Sequence, residues 1–160
     1  MPEITALGWF HTAMGIIALV SGAISLVKHH EIKPSTGVGQ LYLVTTLVTA
    51  ATALMIFQHG GFGPAHGLAV LTLLALAVGT LAAKTRILGS ASRYVQAIAY
   101  SSTLLFHAIP AVTDALMRLP VGDPLLSSIE DPVLKACYLA LLIVFLVGCM
   151  FQLRWIHTHR

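Results

Sequence analysis

Charged residues are scarce in this chain. Of its 160 residues, nine are Lys or Arg and six are Asp or Glu, together 9%, whereas 57% are hydrophobic. A water-soluble domain normally has about a quarter of its residues charged, so this composition excludes an ordinary soluble domain. The net charge of +3 forms no basic patch of the kind that binds nucleic acid, and we expect no nucleic-acid partner.

Cysteine is nearly absent, and the two cysteines present cannot bridge each other. Cys137 and Cys149 fall in one apolar run, about 18 Å apart along a helix, which is too far for a disulfide. The chain also lacks a phosphate-binding glycine loop, a nucleophile–base signature and a metalloprotease helix motif. The first apolar run has no basic leader and no clean cleavage site, so we expect it to be a membrane helix and not a cleavable signal peptide. None of these absences decides whether the protein is an enzyme.

Long apolar runs dominate what is present. Five of them reach the roughly 20 residues that a helix needs to cross a bilayer. They lie near residues 4–27, 38–58, 65–83, 94–117 and 133–153. The sequence therefore predicts an all-α integral membrane protein, with one domain over residues 1–160 and a bundle of about five transmembrane helices in contact with the lipid bilayer.

The distribution of basic residues predicts the orientation of this bundle. If the N-terminus is outside the cytoplasm, seven of the nine basic residues fall on the cytoplasmic side, as the positive-inside rule favours. These seven are Lys28, Lys33, Lys84, Arg86, Arg93, Arg154 and Arg160. We therefore expect the N-terminus outside and the C-terminus in the cytoplasm, for a multi-pass protein of the bacterial inner membrane.

A stripe of polar residues and one proline runs along the fourth apolar run. Its members are spaced by three and four residues, which puts them on one face of a helix. They are Arg93, Gln96, Tyr100, Thr103, His107, Pro110 and Asp114. Pro110 removes the hydrogen bond to the carbonyl of Phe106 and predicts a kink next to His107. Such a stripe indicates either helix packing or a functional site.

Eight histidines are many for so apolar a chain. The predicted topology puts His29, His30, His157 and His159 at cytoplasmic helix ends, where they are typical of residues flanking a membrane span. His11, His59, His66 and His107 gather toward the outer leaflet. Ionisable groups within a membrane are costly unless paired, and by default they mark a site or a pathway. Bonding to threonines or a tyrosine on other helices is the simpler alternative.

Two kinds of ligand fit these histidines. His11, His66 and His107, with Asp114, would supply three imidazoles and a carboxylate for zinc, copper or iron. Alternatively, His11 and His107 would be the two axial ligands of a b-type haem. Gly8 and Gly15 would then leave room for the porphyrin.

Small residues form a face on the first predicted helix. Gly8, Gly15 and Gly22 follow the same spacing as the stripe, with His11 among them. Small residues let membrane helices approach closely. This Gly8/Gly15/Gly22 face predicts close packing with another helix, of this chain, of a membrane-protein partner or of a second copy in a homo-oligomer.

The first half of the chain resembles a known family. "FHTAMGIIALVSGAISLVK" and "TGVGQLYLVTTLVTAATAL" are similar to the bacterial membrane proteins grouped as domain of unknown function 2306. The resemblance rests on His11, Gly15, Lys28, Gly39 and Tyr42, with "GPAHGLAVLTLL" similar to the third helix of that family. It covers roughly residues 8–83. It implies a bacterial membrane protein and no particular activity.

Three functions remain open from the sequence. The leading hypothesis is an outward-facing His/Asp site that binds a transition metal or a haem for redox or metal handling. The alternatives are an accessory or scaffold subunit of a membrane complex, and a small-solute or proton pathway along the stripe of the fourth helix.

Overall fold

The chain folds as a bundle of five α-helices in the computed structural model, which describes residues 4–57, 61–85 and 87–159. The helices are α1 (Ala6–His29), α2 (Gly37–Ala53), α3 (Pro64–Thr85), α4 (Ser92–Arg118) and α5 (Pro132–Thr158), with a 3₁₀ turn at Gly89–Ala91 before α4. No strand occurs within those ranges. The all-α prediction is confirmed, and most of the predicted boundaries fall within a few residues of the observed ones.

Four of the helices are long and apolar enough to cross a membrane: α1, α3, α4 with its 3₁₀ turn, and α5. The exception is α2, which has 17 residues. It ends at Ala53 and is followed by a turn, whereas the sequence predicted its end at residue 58. At 1.5 Å per residue it measures about 26 Å, slightly less than a hydrocarbon core of about 30 Å. His59 lies outside the described residues.

Polar residues at the helix ends explain where the helices start. The hydroxyls of Thr5 and Thr36 accept hydrogen bonds from backbone N–H groups in the first turns of α1 and α2. Asp131 does the same for α5, and Pro132 occupies the first turn, where its missing N–H leaves no unpaired donor. At the other end of α1, His30 adopts a left-handed backbone conformation and stops the helix.

The core lies where α1, α2, α3 and α4 meet, and its largest members are Tyr42 and Tyr100. The Tyr42 hydroxyl shares a short hydrogen bond with Thr103 Oγ1 and donates to the Tyr100 carbonyl at 3.2 Å. A Cβ added at Gly79 would lie 2.5 Å from the Tyr100 ring, so α3 approaches α4 closely only because residue 79 is glycine. α4 packs against α1, α3 and α5 and is the central helix of the bundle.

The Gly8/Gly15/Gly22 face of α1 is used inside the chain. A Cβ at Gly22 would lie 2.7 Å from both Tyr42 on α2 and Leu104 on α4, and one at Gly15 would lie 3.6 Å from Thr49. A Cβ at Gly8 would meet Ile4 just before the helix. The close packing predicted for this face therefore joins α1 to α2 and α4 of the same molecule.

Candidate functional site

A cavity of about 820 Å³ lies among α1, α2, α3 and α4 and reaches the loop that follows α4. Its lining includes His11, Thr49, Thr72, His107, Pro110 and Asp114. Three of the four residues predicted for a site, on two different helices, therefore border one space. Gly15 also lines it, as predicted for a residue that leaves room, whereas Gly8 is not among the lining residues.

His11 is held by two threonines of α2. Its Nδ1 lies 3.1 Å from the Thr49 carbonyl oxygen and 3.1 Å from Thr52 Oγ1. A carbonyl only accepts, so Nδ1 carries the proton, and Thr52 is free to accept as well because its own hydroxyl donates to helix carbonyls. In the neutral ring the lone pair is then on Nε2. The simpler alternative drawn from the sequence, a bond to threonines on another helix, is what His11 forms through Nδ1.

His107 carries a polar atom that the fold leaves unsatisfied. Its side chain is 8% exposed, and Nε2 is buried without a hydrogen-bond partner in the described part of the chain. Leaving such an atom unpaired costs about 1–3 kcal/mol. Because His107 lines the same cavity as His11, a ligand that bonds to this nitrogen would remove that cost.

Asp114 stands at the open end of the cavity. Its side chain is 62% exposed, and its Oδ1 accepts from Arg118 Nε at 3.3 Å, one helical turn away. The carboxylate is therefore solvated and already paired with a cation. α4 continues through Pro110 to Arg118. Pro110 has no N–H to give to the carbonyl of Phe106, and both residues line the cavity.

His66 is buried away from this cavity. Its Nδ1 accepts from the backbone N–H of Gly63 at 3.2 Å, and its ring packs against Phe57 and Phe62 at centroid distances of 4.8 and 5.1 Å. Nε2 of His66 is also buried without a hydrogen-bond partner in residues 4–57, 61–85 and 87–159. Within these ranges no group of three His, Cys, Asp or Glu is placed to hold a metal ion, so the predicted set of three imidazoles and a carboxylate is not assembled there.

The other half of the α4 stripe is fully engaged in packing. Arg93 holds Glu31 with two hydrogen bonds, of 2.8 and 3.3 Å, and Glu31 is 2% exposed. Gln96 donates to the Ile32 carbonyl at 3.4 Å. Tyr100 reaches Thr80 with its hydroxyl at 3.1 Å. The sequence did not single out Glu31, although it is the one acidic residue in the segment between α1 and α2.

Comparison of the chain with protein-family models, with curated proteins and with solved structures gave no match. The resemblance to domain of unknown function 2306 stays a prediction. Two residues that carry it have clear structural roles: a side chain on Gly39 would clash with the Lys33 carbonyl, and Tyr42 is at the centre of the core.

Proposed function

We propose that this protein is a multi-pass bacterial inner-membrane protein that binds a b-type haem between His11 and His107 and transfers electrons through it. The observation that carries the proposal is the buried Nε2 of His107, which has no hydrogen-bond partner in the described part of the chain, on a residue that lines the same cavity as His11. Haem iron accepts imidazole as an axial ligand. A haem held by these two imidazoles would supply one-electron chemistry, which favours a role in electron transfer.

The size of the cavity and the number of ligands support haem over a single metal ion. About 820 Å³ lies within the range of cofactor and ligand pockets, whereas a metal ion bound by protein alone needs three or four ligands in contact. Among the residues that the structure describes, two imidazoles line this cavity, those of His11 and His107. The Nδ1–H of His11 is fixed on a carbonyl, which is the arrangement that orients an axial or metal-ligating histidine through its other nitrogen.

Charge at the two ends of the bundle supports insertion with the N-terminus outside. The end that contains the α1–α2 loop, the start of α4 and the end of α5 is basic, with Lys28, Lys33, Arg93 and Arg154 against Glu31 alone in the described residues of those segments. The α4–α5 loop at the other end has Asp123, Glu130 and Asp131. The positive-inside rule then puts the basic end in the cytoplasm and the haem cavity toward the outer leaflet.

An absorption spectrum of the protein purified in detergent tests the proposal. We expect one haem per chain, or stoichiometric uptake of added haemin, with the Soret and split visible bands of low-spin, two-imidazole haem. His11→Gln and His107→Gln should each lose that spectrum. His66→Gln is the matched control, because it removes a similarly buried imidazole that does not line the cavity, and it should keep the spectrum.

A protein that is colourless as purified and takes up no haemin would overturn the haem proposal. Equal loss of haem in His66→Gln and His107→Gln would also contradict it, since the site would then depend on the fold in general and not on the cavity. Thermal unfolding of each variant separates loss of the ligand from loss of the structure.

A transition metal held by the same two imidazoles is the second candidate, favoured by the orientation of His11. Zinc, copper or iron would complete its coordination with water or a bound solute at the side of the cavity bordered by Asp114. Elemental analysis of the same purified sample decides between this candidate and haem. One equivalent of metal without a haem spectrum, lost in His107→Gln and kept in His66→Gln, would favour the metal.

A role as an accessory subunit of a membrane complex is an alternative function, and the exposed face of α5 favours it. Leu142, Ile143, Val144 and Leu146 are all exposed on that helix. A stoichiometric membrane partner in mild detergent would support this function, and Leu146→Asn should release it. The proton or solute pathway has less support, because the stripe residues between Gln96 and His107, Tyr100 and Thr103, are buried and bonded to Tyr42 of α2.

A further inference from the structure

We propose that a second cavity, on the opposite side of α4, binds one acyl chain of an anionic phospholipid whose headgroup rests at the basic end of the bundle. The inference rests on the proposed insertion in the membrane and is independent of the haem. The cavity has a volume of about 450 Å³ and is a groove between α1 and α5 with α4 as its floor. We call it the α1–α5 groove.

The walls of the α1–α5 groove suit a hydrocarbon chain. They are formed mainly by aliphatic and aromatic side chains, among them Leu26, Leu104, Val144 and Phe145. The polar residue Gln152 is already satisfied, since its Oε1 accepts from Ser101 at 3.0 Å and its Nε2 donates to the His30 carbonyl at 3.1 Å. The middle of the groove therefore offers apolar contact and no amide group seeking a polar ligand.

The length and position of the groove match one leaflet. Its lining runs from Leu19 on α1 to His30, the residue that caps this helix. This rise of eleven residues is about 16 Å long, and half of a bilayer hydrocarbon core is about 15 Å thick. Val144 and Phe151 line the groove and are also exposed to the surroundings. A chain can thus enter sideways from the bilayer, in the leaflet at the basic end.

The basic end of the groove specifies an anionic headgroup. His30 and Trp155 line this end, Lys33 Nζ lies 5.7 Å from the Trp155 ring centroid, and Arg154, the residue before Trp155, is exposed. The acid of this region, Glu31, is buried and is held by Arg93 at 2.8 Å, with Lys33 at 3.5 Å, so the cations of this end outnumber it. Basic pockets between membrane helices recognise anionic lipid headgroups, with about 1 kcal/mol per Lys or Arg.

Native mass spectrometry of the full chain tests the inference. The protein is reconstituted in nanodiscs with equal phosphatidylglycerol and phosphatidylcholine and released in mild detergent. We expect one retained phosphatidylglycerol per chain, in preference to phosphatidylcholine. Gly148→Leu should abolish the adduct, because Gly148 lines the groove and a Cβ there meets nothing within 4 Å, so the new side chain fills the groove without a clash.

Matched variants separate the groove from general effects. Gly67→Leu adds the same side chain at another open position, outside the lining of the α1–α5 groove, and should keep the lipid. Arg154→Gln should lower retention about fivefold, whereas Lys135→Gln, at the other end of α5, should not change it. Ala23→Phe fills the groove from α1 and replaces Gly148→Leu if that variant does not fold.

Three results would overturn the inference. One is equal retention of the two lipids, another is an anionic adduct that persists in both filling variants, and the third is a dimer whose interface excludes lipid from the groove. His107→Gln should leave the lipid adduct unchanged, so that failure of the haem proposal and failure of this one are seen separately.

Discussion

The polar stripe on α4 has two parts, which we name after the proposed orientation: the inner half from Arg93 to Thr103 and the outer half from His107 to Asp114. The inner half is bonded to other helices and loops, whereas the outer half borders a cavity. In the inner half Arg93 pairs with Glu31, and Thr103 bonds to Tyr42. In the outer half His107 Nε2 is buried without a partner among the described residues, and Asp114 is exposed. One continuous pattern in the sequence therefore contains two kinds of polar residue, of which the first stabilises the fold and the second is available to a ligand.

The comparison predicts that changes in the inner half cost stability and that changes in the outer half cost ligand binding. Arg93→Ala should have the largest effect, lowering the free energy of unfolding by about 3 kcal/mol, because it leaves Glu31 buried with the more distant Lys33 as its cation, at 3.5 Å. Unfolding in detergent with denaturant measures this. Lys33→Ala is the control and should cost less than about 1 kcal/mol; equal costs would contradict the prediction.

Gly79→Ala should have the second largest effect and lower the free energy of unfolding by about 2 kcal/mol. The new methyl group would overlap the Tyr100 ring and force α3 away from α4. Gly67→Ala, on the same helix in open space, should be neutral or stabilising by about 1 kcal/mol. Thermal unfolding of the pair checks the difference. If both variants behave alike, the close approach at Gly79 is not what holds these helices.

Tyr42→Phe should cost about 1 kcal/mol, because it removes a hydroxyl that bonds to Thr103 and to the Tyr100 carbonyl. Thr103 keeps its own bond to the Tyr100 carbonyl, at 2.7 Å, so no polar atom becomes stranded. A double-mutant cycle with Thr103→Val measures the coupling. A coupling energy near zero would mean that the inner half is held by packing alone.

His107→Phe should leave the stability of the ligand-free protein unchanged within about 0.5 kcal/mol or raise it, because it replaces an unsatisfied buried nitrogen with an apolar ring. The same variant should lose the haem or metal. Paired measurements of unfolding and of ligand content test both statements. A loss of 2 kcal/mol in the ligand-free protein would show that His107 belongs with the inner half.

The smallest effect on stability is expected for a surface ion pair that lies outside both halves of the stripe. Lys135 lies 2.6 Å from Glu130, and its hydrogen bond and positive charge lower the pKa of that carboxyl below its usual value. The pair therefore stabilises the fold above the pKa that Glu130 has in the unfolded chain, and this contribution is lost as the pH falls through the folded pKa. Melting curves of Glu130→Gln and of the parent protein should converge at acidic pH, with a small difference at neutral pH.

The helices could be predicted because their signal is local. Long apolar runs and the spacing of the α4 stripe each act within one helix, whereas the caps at Thr36 and Asp131 were found only in the structure. The end of α2 was predicted too late, since the apolar residues beyond Ala53 continue the composition of the helix but form a turn. For the site, His11, His107 and Asp114 were predicted to share one location and border the same cavity, whereas the buried His66 lies elsewhere.

The sequence by itself determined that the chain forms long apolar helices, because its scarce charge and apolar runs of about 20 residues leave the backbone in a bilayer no hydrogen-bond partner but itself. It predicted five such spans, and four of the described helices are long and apolar enough to cross a membrane. Only the tertiary structure decided which polar residues are satisfied. Glu31 and Arg93 are 62 residues apart, and Tyr42 and Thr103 are 61 apart, so their bonds depend on how α1, α2 and α4 pack. The same packing leaves His107 Nε2 without a hydrogen-bond partner among residues 4–57, 61–85 and 87–159, and it opens the space beside His107. The physical reason is that a spacing of three and four residues defines a face of a helix but not what that face meets.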